Sequence, residues 1–158
     1  MRLNHVPAIV FSGATWLVIG LLLIIKGLNL IVLGAQDPAA SVAWIPTFAS
    51  LTGGLEQGAL LLISIGLFVG FIKGRTVLAK TVKRMVERIH SMPQPIKMSQ
   101  LYTARYCLLI LLMMGLGISI RWMSLPVDVH GVIDVAIGSA LINGALIYFR
   151  YALALKKV

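Results

Sequence analysis

The sequence predicts an all-α integral membrane protein with four transmembrane helices. Composition, the length of the apolar runs and the placement of charge each indicate this class. Of the 158 residues, 59% are hydrophobic and only 12% are charged, and the mean hydropathy is +0.95. A soluble domain carries about a quarter charged residues. The surplus of apolar side chains must therefore face lipid.

Four apolar segments are long enough to cross a bilayer, which takes about 20 mostly apolar residues. These predicted spans are 6–33, 55–77, 102–124 and 132–152. The first is longer than the apolar core of a cleavable signal peptide, about 7–15 residues, so we expect it to be retained. The whole chain, 1–158, is expected to form a single membrane domain.

The placement of charge predicts the orientation. All 14 basic residues except Lys26 and Arg121 fall at one set of span ends, and all 5 acidic residues except Glu87 lie on or near the opposite side. Because Lys and Arg are retained in the cytoplasm, we expect both termini there, in a plasma or inner membrane. A net charge of +9 in a soluble protein would suggest binding to nucleic acid. Here the basic residues lie beside apolar runs, which indicates that they orient the chain in the membrane instead.

The two halves of the chain resemble each other weakly. Shifts of 95 and 75 residues align spans one and two with spans three and four, and place Lys26 on Arg121 and Ser64 on Ser139. Each half would start in the cytoplasm, so the halves would be parallel helical-hairpin repeats. The alternative is chance similarity between apolar segments.

Each half also places a cation near the outer end of one span and an acid at the start of the next. These residues are Lys26 with Glu56, and Arg121 with Asp134. Charges near hydrocarbon are costly unless they are paired or hydrated. We expect Lys26 to pair with Glu56 and Arg121 with Asp134. The alternative is that all four line an outward-facing vestibule or ion path.

Small residues indicate where the helices pack closely. Gly66 and Gly70 form a GxxxG pattern in the second span, while Ser139 and Asn143 lie in the fourth. Such residues let backbones approach and form hydrogen bonds between helices. The alternative is a ligand site around Ser64, Ser139 and Asn143.

The external loop 34–54 is nearly uncharged and apolar. Asp37 followed by Pro38 predicts a helix start, and Pro46 and Gly53–Gly54 are expected to end that helix. We expect a short helix in the outer interface. A re-entrant segment, shielded from lipid, is the alternative.

The segment 76–92 predicts a basic amphipathic helix on the cytoplasmic side. Its apolar stripe is Leu78, Val82, Met85, Ile89 and Met92, and the surrounding cations are Lys80, Lys83, Arg84 and Arg88. We expect the helix to bend near Gly74 and lie on the inner leaflet, with its cations on anionic lipid. Alternatively, it continues the second span straight and pairs with a partner helix.

Motifs for catalysis and cofactors are absent from the sequence. The single cysteine, Cys107, excludes a disulfide within one chain, and neither a phosphate-binding loop nor a metalloprotease motif occurs. Asp128, His130 and Asp134 form the only acid/imidazole cluster, which we interpret first as a loop feature and second as an acid/base or metal site. No metal or cofactor is expected.

Three functions compete. The first is a small oligomeric transporter or channel for a small solute, anionic because Lys26 and Arg121 would face outward; a homo-oligomer is expected because four helices enclose little space. The second is a membrane scaffold or interaction protein that binds a membrane-protein partner or anionic lipid through the basic helix. A lipid-directed enzyme using Asp128, His130 and Asp134 ranks last.

Overall fold

The computed structural model describes residues 2–3, 5–37, 44–91, 96–97 and 126–156, which are almost entirely helical. In chain order the elements are β1 (Arg2–Leu3), α1 (His5–Gln36), α2 (Ile45–Thr52), α3 (Leu55–Lys73), a π-helix (Gly74–Leu78), α4 (Ala79–Ser91), β2 (Ile96–Lys97) and α5 (Val127–Lys156). The two short strands pair antiparallel.

Three helices of this described part are long and apolar enough to cross a membrane: Val6–Gln36, Leu55–Ile89 and Val127–Leu155. They coincide with the first, second and fourth predicted spans, and they indicate an integral membrane protein. The predicted span 102–124 lies outside the described residues. A comparison of the two predicted repeats lies outside them for the same reason.

Helices α1 and α5 are antiparallel and touch through their backbones. Gly13, Gly20 and Gly27 recur every seventh residue on α1 and face α5. A Cβ added to Gly20 would lie 2.9 Å from the carbonyl oxygen of Gly138, and one added to Gly27 would lie 2.6 Å from that of Gly131. Glycine is therefore required at these positions for the close approach.

Helices α3 and α5 are parallel and also pack through glycines. Gly66 lies against Val132, Gly70 contacts the next turn of α5, and Gly74 lies against Ala140. The residue numbers rise together on both helices, whereas those of α1 fall as those of α5 rise. These relative directions are consistent with the predicted topology. We call the end where α1 starts and α5 finishes the basic end, and the opposite end the loop end.

The contact between Gly74 and Ala140 sets the register of α3 against α5. Ala140 lies about 20 Å from the start of α5 and about 24 Å from its end, at 1.5 Å per residue. Lys73 and Arg75, which flank Gly74, therefore lie near mid-height in the bundle. The sequence predicts these cations at the cytoplasmic edge of a second span that ends at residue 77, whereas the helix continues beyond that residue and the two cations lie level with the middle of α5; the bounds of the span stay a prediction.

Helix α4 continues α3 through the π-helix, and the stripe residues that the structure describes pack within the bundle; Met92 lies outside the described residues. The buried cluster contains Val82, Val86 and Ile89 of α4, Ala8, Ile9 and Trp16 of α1, and Leu141, Ala145, Tyr148 and Ala152 of α5. The expectation that the helix leaves the bundle at Gly74 and places its stripe in the inner leaflet is therefore wrong. The stripe is removed from water by α1 and α5 instead of by lipid.

Helix α2 lies at the loop end, against α3 and above the start of α5. Pro46 lies in its first turn, and Gly53 ends it with a left-handed φ of 91°. Pro46 therefore marks the start of this helix and not its end. Backbone N–H groups in the first turn have no partner within the helix, so proline, which has no N–H, loses nothing there. Asp37 donates its backbone N–H to the carbonyl of Leu33 at 3.0 Å, so it closes α1.

Candidate functional site

At the loop end, Asp128 holds α2 in place. Its carboxylate is fully buried, and Oδ2 accepts hydrogen bonds from the backbone N–H groups of Trp44 at 2.6 Å and Ile45 at 3.0 Å. Oδ1 accepts the N–H of Val129 at 2.9 Å. One carboxylate thus caps α2 and α5, where the helix dipoles favour negative charge.

The acid/imidazole cluster does not form a metal site. Among the residues that the structure describes, no three His, Cys, Asp or Glu side chains are close enough to hold an ion. His130 has a buried Nε2 for which this part of the chain supplies no hydrogen-bond partner. Asp128 binds α2, and Asp134 makes a different contact, described next.

Lys26 of α1 forms an ion pair with Asp134 of α5, at 2.8 Å from Nζ to Oδ2. The expected pairing of Lys26 with Glu56 is therefore wrong. Gly66 of α3 contacts Val132 of α5. Glu56 lies ten residues before Gly66, and therefore roughly 15 Å nearer the loop end than Val132. The offset between α3 and α5 separates the two charges along the bundle axis.

The ion pair joins α1 to α5 in the half of the bundle nearer the loop end. The Asp134 side chain is 6% exposed and that of Lys26 is 55% exposed. A buried carboxylate needs such a partner, because its desolvation is costly. The predicted pairing of Arg121 with Asp134 stays a prediction, because Arg121 lies outside the described residues. Glu56 is exposed.

The polar residues predicted at helix contacts separate into two groups. The Ser139 hydroxyl donates to the carbonyl of Leu67 at 3.0 Å, which joins α5 to α3. The Asn143 amide donates to the carbonyl of Ser139 at 3.0 Å. Ser64 instead donates to Leu60 of its own helix at 2.8 Å and is exposed.

The π-helix adjusts the packing of α3 and α4 on α5. Gly66, Gly70 and Gly74 repeat every four residues, and Leu78 and Val82 extend this spacing into the core. In a regular α-helix such a stripe drifts by about 40° per step. A wider turn takes up part of this drift. The backbone N–H of Ala79 accordingly bonds to the carbonyl of Gly74, five residues back.

Beside the π-helix, an open groove of about 870 Å³ runs between α3 and α5 and is lined by two arginines, Arg75 and Arg150, with Asn143. The remaining lining is largely apolar. The guanidinium carbon of Arg75 lies 5.9 Å from the centre of the Phe71 ring, a cation–π distance. The groove therefore carries two fixed positive charges on an apolar surface.

No acidic side chain of this chain neutralises the groove. All five lie in the described part: Asp134 pairs with Lys26, Asp128 caps α2, Glu87 lies 3.9 Å from Lys83, and Asp37 and Glu56 lie at the loop end. Glu56 is 19 residues before Arg75 on one continuous helix, roughly 28 Å away. Within the described residues, the acidic side chains therefore leave Arg75 and Arg150 without a balancing charge.

Four further cations lie on the exposed side of α4. Lys80, Lys83, Arg84 and Arg88 are all exposed, because the opposite side of α4 packs against α1 and α5. We call these four residues the basic face. They were predicted from the sequence as contacts for lipid headgroups or a partner, whereas the groove was not predicted.

Comparisons with known proteins found no matching family model, no matching curated protein and no matching solved structure. Function must therefore be argued from the groove, the ion pair and the basic face.

Proposed function

We propose that this integral membrane protein transports a small anion, and that the groove lined by Arg75, Asn143 and Arg150 is part of its path. The observation that carries the proposal is the position of Arg75, near mid-height in the bundle and without an acidic partner in the described part of the chain. A guanidinium at such depth is costly unless it is hydrated or meets an anion.

The second arginine extends the groove towards the basic end. Arg150 lies ten residues beyond Ala140, and hence roughly 15 Å from the level of Arg75. Both line the same groove. Two cations at different depths offer successive weak sites, which lets an ion both enter and leave. Asn143 between them supplies an amide N–H₂ as a neutral donor.

The proposal moves the anion site away from the residues first expected to form it. Lys26 is paired with Asp134, so it is not the free cation that an anion path needs. The α1–α5 and α3–α5 interfaces are filled by backbone contacts, which leaves the outer side of α3 and α5. A path there needs a further wall, which either the predicted span 102–124, outside the described residues, or a second copy of the chain would supply.

Chloride flux into phosphatidylcholine vesicles containing the purified protein tests this proposal. We expect flux above that of protein-free vesicles, and a reduction of tenfold or more in Arg75→Gln. Arg75→Lys, which keeps the charge, should retain a larger share of the flux. Lys73→Gln is the matched control, because Lys73 is an exposed cation two residues away that does not line the groove.

Two results would overturn the proposal. One is wild-type flux that does not exceed that of empty vesicles. The other is an equal loss of flux in Arg75→Gln and Lys73→Gln, since that would assign the effect to general charge and not to the groove.

A further inference from the structure

We infer that the basic face of α4 binds the headgroups of anionic phospholipids while α4 stands upright in the bundle, as a site separate from the groove. The expected surface helix would have bound the same lipids by lying flat. The structure instead buries the stripe of α4, so only its cations remain available to lipid.

The register of α4 against α5 places these cations between mid-height and the basic end of the bundle, with Lys83, Arg84 and Arg88 nearest the end, where we infer that the membrane boundary lies. The buried residues Val82 and Ile89 of α4 pack in one cluster with Ala8 near the start of α1 and Ala152 near the end of α5. Gly74 lies against Ala140, so Lys83 and Arg88 lie roughly 14 and 21 Å further towards the basic end, and Lys80 about 9 Å. Helix α4 ends 17 residues beyond Gly74 and α5 ends 16 residues beyond Ala140, so the two helices end at about the same level.

The charge of the face fits phosphate headgroups. Four exposed cations are accompanied by one acid, Glu87, which lies 3.9 Å from Lys83. An exposed apolar side chain, Val77 on the π-helix at 55% exposure, lies one helical turn before Lys80. Cations beside lipid-facing apolar side chains lie at the depth of the lipid headgroups, which are therefore closer to them than a soluble acidic protein.

Native mass spectrometry of the full-length protein tests this inference. The protein is equilibrated with equal amounts of phosphatidylglycerol and phosphatidylcholine, and the retained lipids are counted. We expect phosphatidylglycerol to be enriched, and the enrichment to fall at least tenfold when Lys80, Lys83, Arg84 and Arg88 are all changed to Gln, since each cation near an anionic surface contributes about fivefold.

A charge-preserving variant is the matched control. Exchanging Lys for Arg and Arg for Lys at the same four positions should keep the enrichment. Wild-type protein provides a measurement that needs no variant: raising the salt from low to high concentration should reduce the enrichment, because exposed charges are screened. The inference is overturned if wild type shows no enrichment at low salt, or if the four-Gln variant keeps it.

The outcomes also separate this site from the groove. Arg75→Gln should reduce chloride flux and leave phosphatidylglycerol enrichment unchanged, while the four-Gln variant should lose the enrichment. If polyglutamate binds the protein in phosphatidylcholine nanodiscs and displaces phosphatidylglycerol from wild type at low salt, the face fits an acidic polypeptide and the lipid assignment fails.

Discussion

Lys26 and Asp134 join two helices that otherwise meet through glycine. The carboxylate is nearly fully buried, while about half of the Lys26 side chain remains exposed. The cost of desolvation therefore falls mainly on Asp134, and the cation offsets it at 2.8 Å. The ion pair stabilises the fold mainly by neutralising Asp134, because either charge is unfavourable near hydrocarbon without a partner.

A double-mutant cycle measures this coupling. Lys26→Met should lower the free energy of unfolding by about 1–3 kcal/mol, less than for a fully buried pair because Lys26 is half-exposed. Adding Asp134→Asn should recover part of the loss, because no buried charge is then left alone. The measurement is reversible unfolding in mixed detergent. Glu56→Gln should change stability by less than about 0.5 kcal/mol, and strictly additive effects at 26 and 134 would contradict the pairing.

The sequence revealed all of these charges but not their partners. Glu56 looked suitable because it opens the span that follows Lys26. That choice assumes that adjacent spans begin and end at the same depth. Here α3 starts further towards the loop end than α5 does, with α2 packed against its first turns, and Asp134 is the acid at the level of Lys26. Depth depends on tertiary register, which local sequence does not encode.

At the scale of elements, α2 depends on a residue from the far end of the sequence. Asp128 accepts the first two N–H groups of the α2 turn, and Gly58 lets α2 approach α3, since a Cβ there would lie 2.9 Å from the backbone nitrogen of Ala49. Pro46 and Gly53 could be read as local signals for helix ends, although Pro46 was assigned to the wrong end. The capping contact spans more than 80 residues and has no local signal.

Asp128→Ala should loosen the start of α2 without unfolding the bundle. Hydrogen bonds to a charged group contribute about 1.5–3 kcal/mol, so the amide hydrogens of Trp44 and Ile45 should exchange about 10- to 100-fold faster. NMR-detected hydrogen exchange in micelles measures this. Glu56→Gln, an exposed acid nearby, serves as the control. Unchanged protection at both amides in Asp128→Ala would show that the carboxylate does not hold α2.

Helix α4 shows what periodicity can and cannot predict. Its spacing predicts a stripe covered by lipid or by a partner helix, whereas Val82 and Ile89 are fully buried against α1 and α5 of the same chain. The spacing does not say whether lipid, another chain or the same chain covers it. The structure uses α1 and α5. The glycines at 13, 20 and 27 of α1 are a second periodic signal, visible in the sequence at intervals of seven, that identifies the contact with α5.

At the scale of the whole molecule, the other described helices pack around α5: α1 packs on it antiparallel, and α3 with α4 packs on it parallel. The apolar runs alone predict the three described spans, because a helix needs about 20 apolar residues to cross a bilayer. The offset between α3 and α5 does not follow from them. It depends on which small residues meet, and it places Arg75 level with the middle of α5.

That offset is tested most directly by disulfide trapping in native membranes, in a Cys107→Ser background. A Cβ built on Gly74 lies 2.9 Å from the Cβ of Asn143 and 2.8 Å from the carbonyl oxygen of Ala140. The two helices must therefore separate slightly to admit a cysteine at 74, which brings the two Cβ atoms towards the separation of about 3.5–4.5 Å in a disulfide. Gly74→Cys with Asn143→Cys should therefore form a bond on mild oxidation, and Gly74→Cys with Arg150→Cys should not. A bond to position 150 and none to position 143 would align the basic ends of the two spans, and it would contradict both the register and the mid-height position of Arg75.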